Sequence, residues 1–481
     1  MMPLIDRLSA WLDRTAFPRI ADAEAEAHKA AVLRIAAGLV LVWRCALMLR
    51  DSWYYFDPVP LAGGVWPLHV IAAAAQLVLA LGLTLGVAPV YCAGLLLATH
   101  PAYSIWTGTY NLGPMLLTPM LGAFAALETG RFALFARIRP APTAGQYRAA
   151  YLILFIAYAG LSFQALLYHV GDAYWVSGQT VAVLFTSSYL SEFYGLFRAW
   201  ESSTPDLYAL FSIVVGVLQS VFQLAMLPLV VTRWGARFVH LWGWVFIFGS
   251  LVGLQISILP AVEVIVWALI FSPARWFAFA GGSITGISAL THLRFRAAAM
   301  GIFCSGYGLL LLLFYINAIT DFTLNRDLPG WIRNPVLYYS GLVAPNVFNQ
   351  ADLTMGDRWP VLYRLDGEHR GMVPLNGPEG ERLAYHRSDL LYFGNSLRWR
   401  RGMIWQSDLA AYHQPGADGY ECARRMALYD YRRHGATGSG LYHFSLFRNH
   451  ASEFVLGADP TRYRPELVLD FTLPAFGTQK P

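Results

Sequence analysis

The chain has 481 residues, of which 56% are hydrophobic, 15% aromatic and only 14% charged, and its formal charge is +5. Soluble domains carry about 25% charged residues, so this composition excludes a wholly water-soluble globule and requires lipid to solvate part of the chain. Nearly all the positive charge is arginine, the only lysines being Lys29 and Lys480, and it is scattered through short loops between apolar runs. That pattern sets membrane topology and argues against a nucleic-acid partner.

In chain order, Met1 to Ala30 mixes acids and bases with short apolar repeats (Leu4, Leu8, Trp11, Leu12) and lacks the layout of a cleaved signal peptide. It reads as a cytoplasmic amphipathic helix lying at the interface. A helix rises about 1.5 Å per residue, so crossing about 30 Å of hydrocarbon takes roughly 20 mostly apolar residues. Stretches near 31–49, 66–86, 88–105, 112–128, 149–169, 207–232, 237–255, 257–272 and 296–319 qualify, some marginally. They predict an all-α polytopic membrane bundle of about nine transmembrane helices over residues 31–319. Pro101, Gly113, Pro114 and Pro119 interrupt the third and fourth, which predicts a broken or re-entrant helix lining a protein-enclosed cavity.

A charge inside a span costs about 2.5 to 3.5 kcal/mol on insertion scales, so polar residues there are where function is sought. Arg44 lies inside the first span and either snorkels to the outer interface or pairs with an anion or carboxylate. His69 opens the second span, at the interface. His100 ends an apolar run and leads into Pro101, Tyr103, Trp106, Tyr110 and Asn111. It is expected to face a cavity, against the plainer reading of a hydrogen-bonded structural histidine. Gln164, Tyr168, His169, Asp172, Tyr174 and Trp175 follow the small-residue break in the fifth span; the aromatics read as interface anchors, and His169 and Asp172 stand three apart, in reach of a proton-handling pair. Gln219 and Gln223, four apart, share a face of the sixth helix. His240 opens the seventh span. Gln255 and Glu263 bracket Pro260, which reads as an outer turn with a glutamate in the first turn of the eighth helix.

Loop charge then predicts sides. Arg131, Arg137, Arg139 and Arg148 follow the fourth span, Arg233 and Arg237 the sixth, and Arg275, Arg294 and Arg296 lie around the gap between the eighth and ninth. The loop after the fifth carries Asp172, Glu192, Glu201 and Asp206 against Arg198. By the positive-inside rule the N-terminus is cytoplasmic and everything after Ala318 is outside. From 320 to 481 the composition turns to mixed charge with turn signals at Asp366-Gly367, Asn376-Gly377-Pro378 and Asp418-Gly419. Val361–Leu365, Leu390–Phe393 and Leu467–Phe471 read as strands and Tyr420–His434 as a helix, predicting a small extracytoplasmic β-rich or α+β domain. Cys45, Cys92, Cys304 and Cys422 show no CxxC or Cys/His spacing suited to zinc, so no metal site is expected.

Four features carry a family resemblance: Leu33-Arg34-Ile35-Ala36 to Trp43-Arg44; the polar turn with His100 and Asn111; Ala159-Gly160-Leu161-Ser162 followed by Trp175-Val176-Ser177-Gly178; and His240 opening a later span. In this order they make Ala31 to Ala318 resemble the HTTM family, the membrane domain shared by vitamin K-dependent gamma-carboxylase and many bacterial homologues. The tail resembles the C-terminal region of bacterial members through Ala344-Pro345-Asn346, Trp359-Pro360-Val361-Leu362 before Asp366-Gly367, and Asn395-Ser396-Leu397-Arg398-Trp399-Arg400. The resemblance implies a bacterial inner (plasma) membrane protein with a periplasmic or extracellular C-terminal domain. In the carboxylase, a Gly-Leu-(x)-Lys stretch supplies the lysine that deprotonates reduced vitamin K. Here Phe163 falls at that position, and a benzyl ring takes no proton. No predicted span contains a lysine, and arginine, with a pKa above about 12, is a poor base.

The leading expectation is therefore an HTTM-like membrane protein without gamma-carboxylase activity. It binds membrane lipid or a vitamin K/quinone-like ligand, through candidates Arg44, His100, Asn111, Gln164, Gln223 and His240, or its outer domain assists maturation of a secreted protein or peptide partner. One alternative is a membrane enzyme acting on a quinol or peptide with His100, His169 or His240 as base. Another is a transporter, which the few intramembrane charges and the lack of paired broken helices disfavour. Under the enzyme reading, His100, His240 and Arg44 converge on one enclosed pocket.

Overall fold

The computed structural model describes residues 20–50, 66–106, 112–132, 142–280, 291–340, 358–383, 413–448 and 465–476, apart from 128, 189, 230, 231, 257, 325, 327, 368, 369 and 435. Apolar segments fold as helices because in hydrocarbon each backbone N–H and C=O must be satisfied within its own segment. The series opens with α1 (Ala23–Arg50), α2 (Trp66–Leu85), α3 (Pro89–Trp106), α4 (Leu112–Ala126) and α5 (Ala144–Val170). Between α2 and α3 the chain turns at Gly86, in the left-handed region at φ 74°, while Val87 N–H donates to the Gly82 carbonyl at 2.8 Å. Thr143 and Gln146 form a reciprocal capping box at the start of α5. Short helices α6 (Ala173–Val176), α7 (Gln179–Thr186) and α8 (Tyr194–Ser203) lead to α9 (Pro205–Leu229), α10 (Arg233–Gly253), α11 (Leu259–Phe271), α12 (Thr291–Leu324) and α13 (Gly330–Ser340).

Among the described residues, six segments are long and apolar enough to cross a membrane: Ala23–Arg50, Leu68–Leu85, Ala144–Val170, Pro205–Pro228, Trp234–Gly253 and Ala298–Asp321. The other three expected spans are helical but weaker. α3 has 18 residues with Pro101 inside it, α4 has 15 and α11 has 13. A 13-residue helix reaches about 20 Å, short of the hydrocarbon thickness. α4 and α11 are buried along nearly their whole length, so they are solvated by the longer helices around them.

Contacts between helix ends give the bundle two distinct ends. At the first, Lys29 of α1 donates to the carbonyl of Ser272, just past α11, at 3.1 Å, and Arg131, past α4, pairs with Glu24 at 2.6 Å. At the second, His69 of α2 stacks on Trp106 of α3 at 3.7 Å and Ser191 bridges to Leu254. There α4 also meets α11 so closely that a Cβ added to Gly113 would lie 2.8 Å from the Leu259 nitrogen. The loop after α4, which carries Arg131, Arg137 and Arg139, and Arg275 just past α11 thus share the first end with the start of α1.

Beyond the bundle, β1 (Arg358–Arg364), β2 (Gly371–Met372), β3 (Tyr442–Arg448) and β4 (Glu466–Leu473) form an antiparallel sheet in the order β2-β1-β3-β4. Tyr442, Phe444 and Leu446 alternate inward on β3 and pack with Cys422, Met426 and Ala427 of α14 (Asp418–Arg433). The strand expected at Leu390–Phe393 lies outside the described residues. α12 runs on to Leu324, and α13, within the stretch expected to open the outer domain, packs Val336 into the bundle core. The sheet domain docks on the second end: Arg382 pairs with Glu192 at 2.9 Å, Asn376 donates to Ser188 Oγ at 3.2 Å and Arg198 to the Glu379 carbonyl at 3.2 Å. Met48, Ala73 and Tyr103, from α1, α2 and α3, belong to the same apolar cluster as the sheet and α14.

Candidate functional site

Two of the candidate residues are brought together at the second end. Arg44 of α1 is 2% exposed and donates through Nη2 to Ser104 Oγ at 3.4 Å. Its burial removes the snorkelling reading. His100 stands one turn before Ser104 on α3, is 1% exposed, and lies close enough to feel the guanidinium charge. Neither nitrogen of its ring has a hydrogen-bond partner. A buried polar group left unmatched costs about 1–3 kcal/mol, so the ring sits here at an energetic cost. α3 is held against α2 on either side of it: Gln76 donates to Thr99 Oγ1 at 2.7 Å, and His69, expected at the interface, is fully buried on Trp106.

The remaining candidates lie elsewhere. His169 Nδ1 is 3.3 Å from Gln223 Oε1, and its ring stacks on Trp175 at 3.7 Å. The Asp172 carboxylate, expected to serve His169, accepts the Tyr174 N–H and caps α6. Gln219 accepts from the Trp242 indole at 3.3 Å, tying α9 to α10. Gln164 is 2% exposed with its Oε1 unmatched. His240 meets Phe271 edge-on at 5.4 Å, next to the Ser272 that receives Lys29. Lys29 and Arg44 are fifteen residues apart on one helix, about 22 Å, so His240 sits at the opposite end of the bundle from His100. The single pocket expected for His100, His240 and Arg44 is not what these contacts build. Asn111 lies outside the described residues.

Two further buried charges, Lys29 and Glu263, lie inside the bundle. α1 begins at Ala23, so Lys29, expected in an interfacial segment ahead of the first span, lies inside the first candidate span. It pairs with Glu26 at 2.7 Å and sits over the Tyr151 ring at 4.6 Å, while the Tyr151 hydroxyl donates to Glu26 Oε2 at 2.7 Å. Two turns along α5, Tyr158 donates to Glu263 Oε1 at 2.9 Å. Glu263, expected in the first turn of the eighth helix, lies near the start of α11, is 5% exposed, and its Oε2 has no partner. The signal was present: Tyr147, Tyr151 and Tyr158 recur at spacings of four and seven, one face of a helix. Phe163 is twelve residues from Tyr151, about 18 Å along α5, so Lys29 does not stand in for a lysine at that position.

Outside the spans, Glu201 of α8 is 4% exposed, and burial pushes its carboxyl up to about 8 although Arg198 opposes the shift. Among the described residues no group of three His, Cys, Asp or Glu side chains is placed to hold a metal ion. Set against known proteins, the chain matches no family model, and no curated protein or solved structure matches it either.

Proposed function

We propose that this chain is a multi-pass bacterial plasma-membrane protein of the HTTM kind, without gamma-carboxylase chemistry, whose bundle holds a lipid or quinone-like ligand by its oxygen atoms at Arg44 and His100. The observation that carries the reading is the His100 ring, buried beside a buried guanidinium with neither nitrogen matched. A guanidinium donates only, whereas a neutral imidazole donates and accepts. Together they suit a carbonyl or oxyanion with a hydroxyl beside it. In this reading the arginine-rich first end is cytoplasmic and the sheet domain lies outside. Loss of carboxylation follows from Phe163 and from the engagement of Lys29 by Glu26.

The test is mass spectrometry of lipids and quinones that copurify with the full-length protein and with His100→Ala and His240→Ala. His100→Ala is expected to lose the bound species and His240→Ala to keep it, because His240 sits on Phe271 at the other end. Retention unchanged in His100→Ala, or lost equally in both, would remove the assignment. Carboxylation of a glutamyl peptide by the purified protein would overturn its chemical half.

A further inference from the structure

We propose that the sheet domain is a lid over Arg44 and His100, latched to the bundle through Arg382, and that the ligand enters and leaves that site when the lid lifts. This inference rests on the reading of Arg44 and His100 as a ligand site. The site is sealed: Arg44, His100 and Ser104 are 2%, 1% and 0% exposed, so nothing reaches them unless a neighbouring part of the molecule moves. The helices that carry them are closely packed. Gly38 of α1 admits Thr84 of α2 so closely that no Cβ fits between them, a Cβ added to Gly82 of α2 would lie 2.7 Å from Cys92 Sγ of α3, and Gln76 donates to Thr99 Oγ1 at 2.7 Å.

The sheet domain is the neighbour that can move. Its apolar core closes over the site: Met48, one turn past Arg44 on α1, Ala73 of α2 and Tyr103, next to Ser104 on α3, are buried in one cluster with Leu362, Val373 and Phe444 of the sheet domain. The domain is also held by polar contacts. Arg382 donates its backbone N–H to Tyr194 Oη at 2.8 Å, and its guanidinium to the Ser188 and Ser191 carbonyls and, at 2.9 Å, to the Glu192 carboxylate. Arg198 of α8 reaches the other way, to the Glu379 carbonyl and over the Trp359 ring at 5.9 Å. The Arg382 and Glu192 side chains are 14% and 23% exposed, so water reaches this latch. Hydrogen bonds at a wet edge are exchanged for bonds to water at a small net cost, whereas parting the packed helices would open the bundle core.

Cys45, beside Arg44 on α1 and 2% exposed, makes the lid visible without any ligand. The full-length protein in detergent is treated with an anionic methanethiosulfonate, and labelling is followed at each cysteine by peptide mass spectrometry. A protected thiol is labelled in proportion to the open fraction. Arg382→Ala removes the guanidinium's contacts and should label Cys45 at least about tenfold faster than the parent. Cys422, 0% exposed in α14, should stay protected, because the domain lifts without unfolding. Cys45 labelling unchanged in Arg382→Ala overturns the lid. Where Cys422 is labelled in step with Cys45, Glu192→Ala decides, since it leaves the sequence of the sheet domain intact. It should label Cys45 about fivefold faster with Cys422 protected, and any other result there overturns the proposal. These rates need no ligand, so an unchanged Cys45 removes the lid alone, whereas a bound species retained in His100→Ala removes the site that the lid would serve.

Discussion

α1 buries a cation toward each of its ends, and the two are treated differently. Lys29 meets a carboxylate, a backbone carbonyl and an aromatic face, and the carboxylate in turn accepts a tyrosine hydroxyl. Arg44 donates to a neutral serine hydroxyl at 3.4 Å and stands beside a histidine whose two nitrogens are unmatched. Replacing a buried ion pair by apolar groups is often neutral, but removing one partner strands the other. The first arrangement therefore reads as a lock that fastens α1 to α5 and α11. The second sets the Arg44 guanidinium beside an imidazole whose two nitrogens are unmatched, and it is those nitrogens that the proposed ligand would engage.

The largest expected effect breaks the lock. Glu26→Ala leaves the Lys29 ammonium buried without its carboxylate and should destabilise the bundle by about 3–5 kcal/mol, measured by unfolding in a denaturing detergent. Adding Lys29→Met should restore most of that loss, since the stranded charge is gone. A Glu26→Ala protein as stable as the parent would make the two ends of α1 equivalent and end the comparison.

A smaller effect comes from a buried acid outside the spans. The Glu201 carboxyl is held at about 8 against an ordinary value of 4.5, with burial as the main cause. A carboxyl raised in the folded state contributes its full stability below the unfolded value and loses it as pH climbs through the folded one. Stability of the α8 region should therefore decline from about pH 4.5 to about pH 8, by a few kcal/mol at most. Glu201→Gln should flatten that slope and leave the protein unchanged at pH 4.5. Hydrogen exchange of α8 across this range is the measurement, and an equal slope in Glu201→Gln would show that another group titrates.

Much of this architecture was legible from the residues, and the failures share a cause. Apolar runs marked the helices because hydrocarbon imposes one solution on the backbone, and the break into mixed charge marked the sheet domain. Helix ends were less legible. Ala23 to Ala30 carries Glu24, Glu26, His28 and Lys29, which looks like a surface segment until Tyr151, Ser272 and Arg131 arrive from sequence positions far away to match them. The partner of Glu263 was hidden for the same reason, since only the fold brings Tyr158 to it. Arg44 and His100 could be singled out as costly residues in apolar runs, but nothing in their spacing says that they meet while His240 does not.

The smallest expected change in stability is the one that tests the second end most directly. His100→Phe keeps a planar ring in a buried position and removes two polar atoms that have no partner, so stability should stay within about 1 kcal/mol of the parent or rise. Had His100 been a hydrogen-bonded structural residue, the same change would strand its partners and cost about 1–3 kcal/mol. The copurified ligand should disappear although the protein is no less stable, because Phe offers neither donor nor acceptor. A protein that binds worse while folding as well separates a ligand site from a packing site, whereas a less stable His100→Phe protein would mean that the ring's nitrogens are matched and that the Arg44 end is as closed as the Lys29 end.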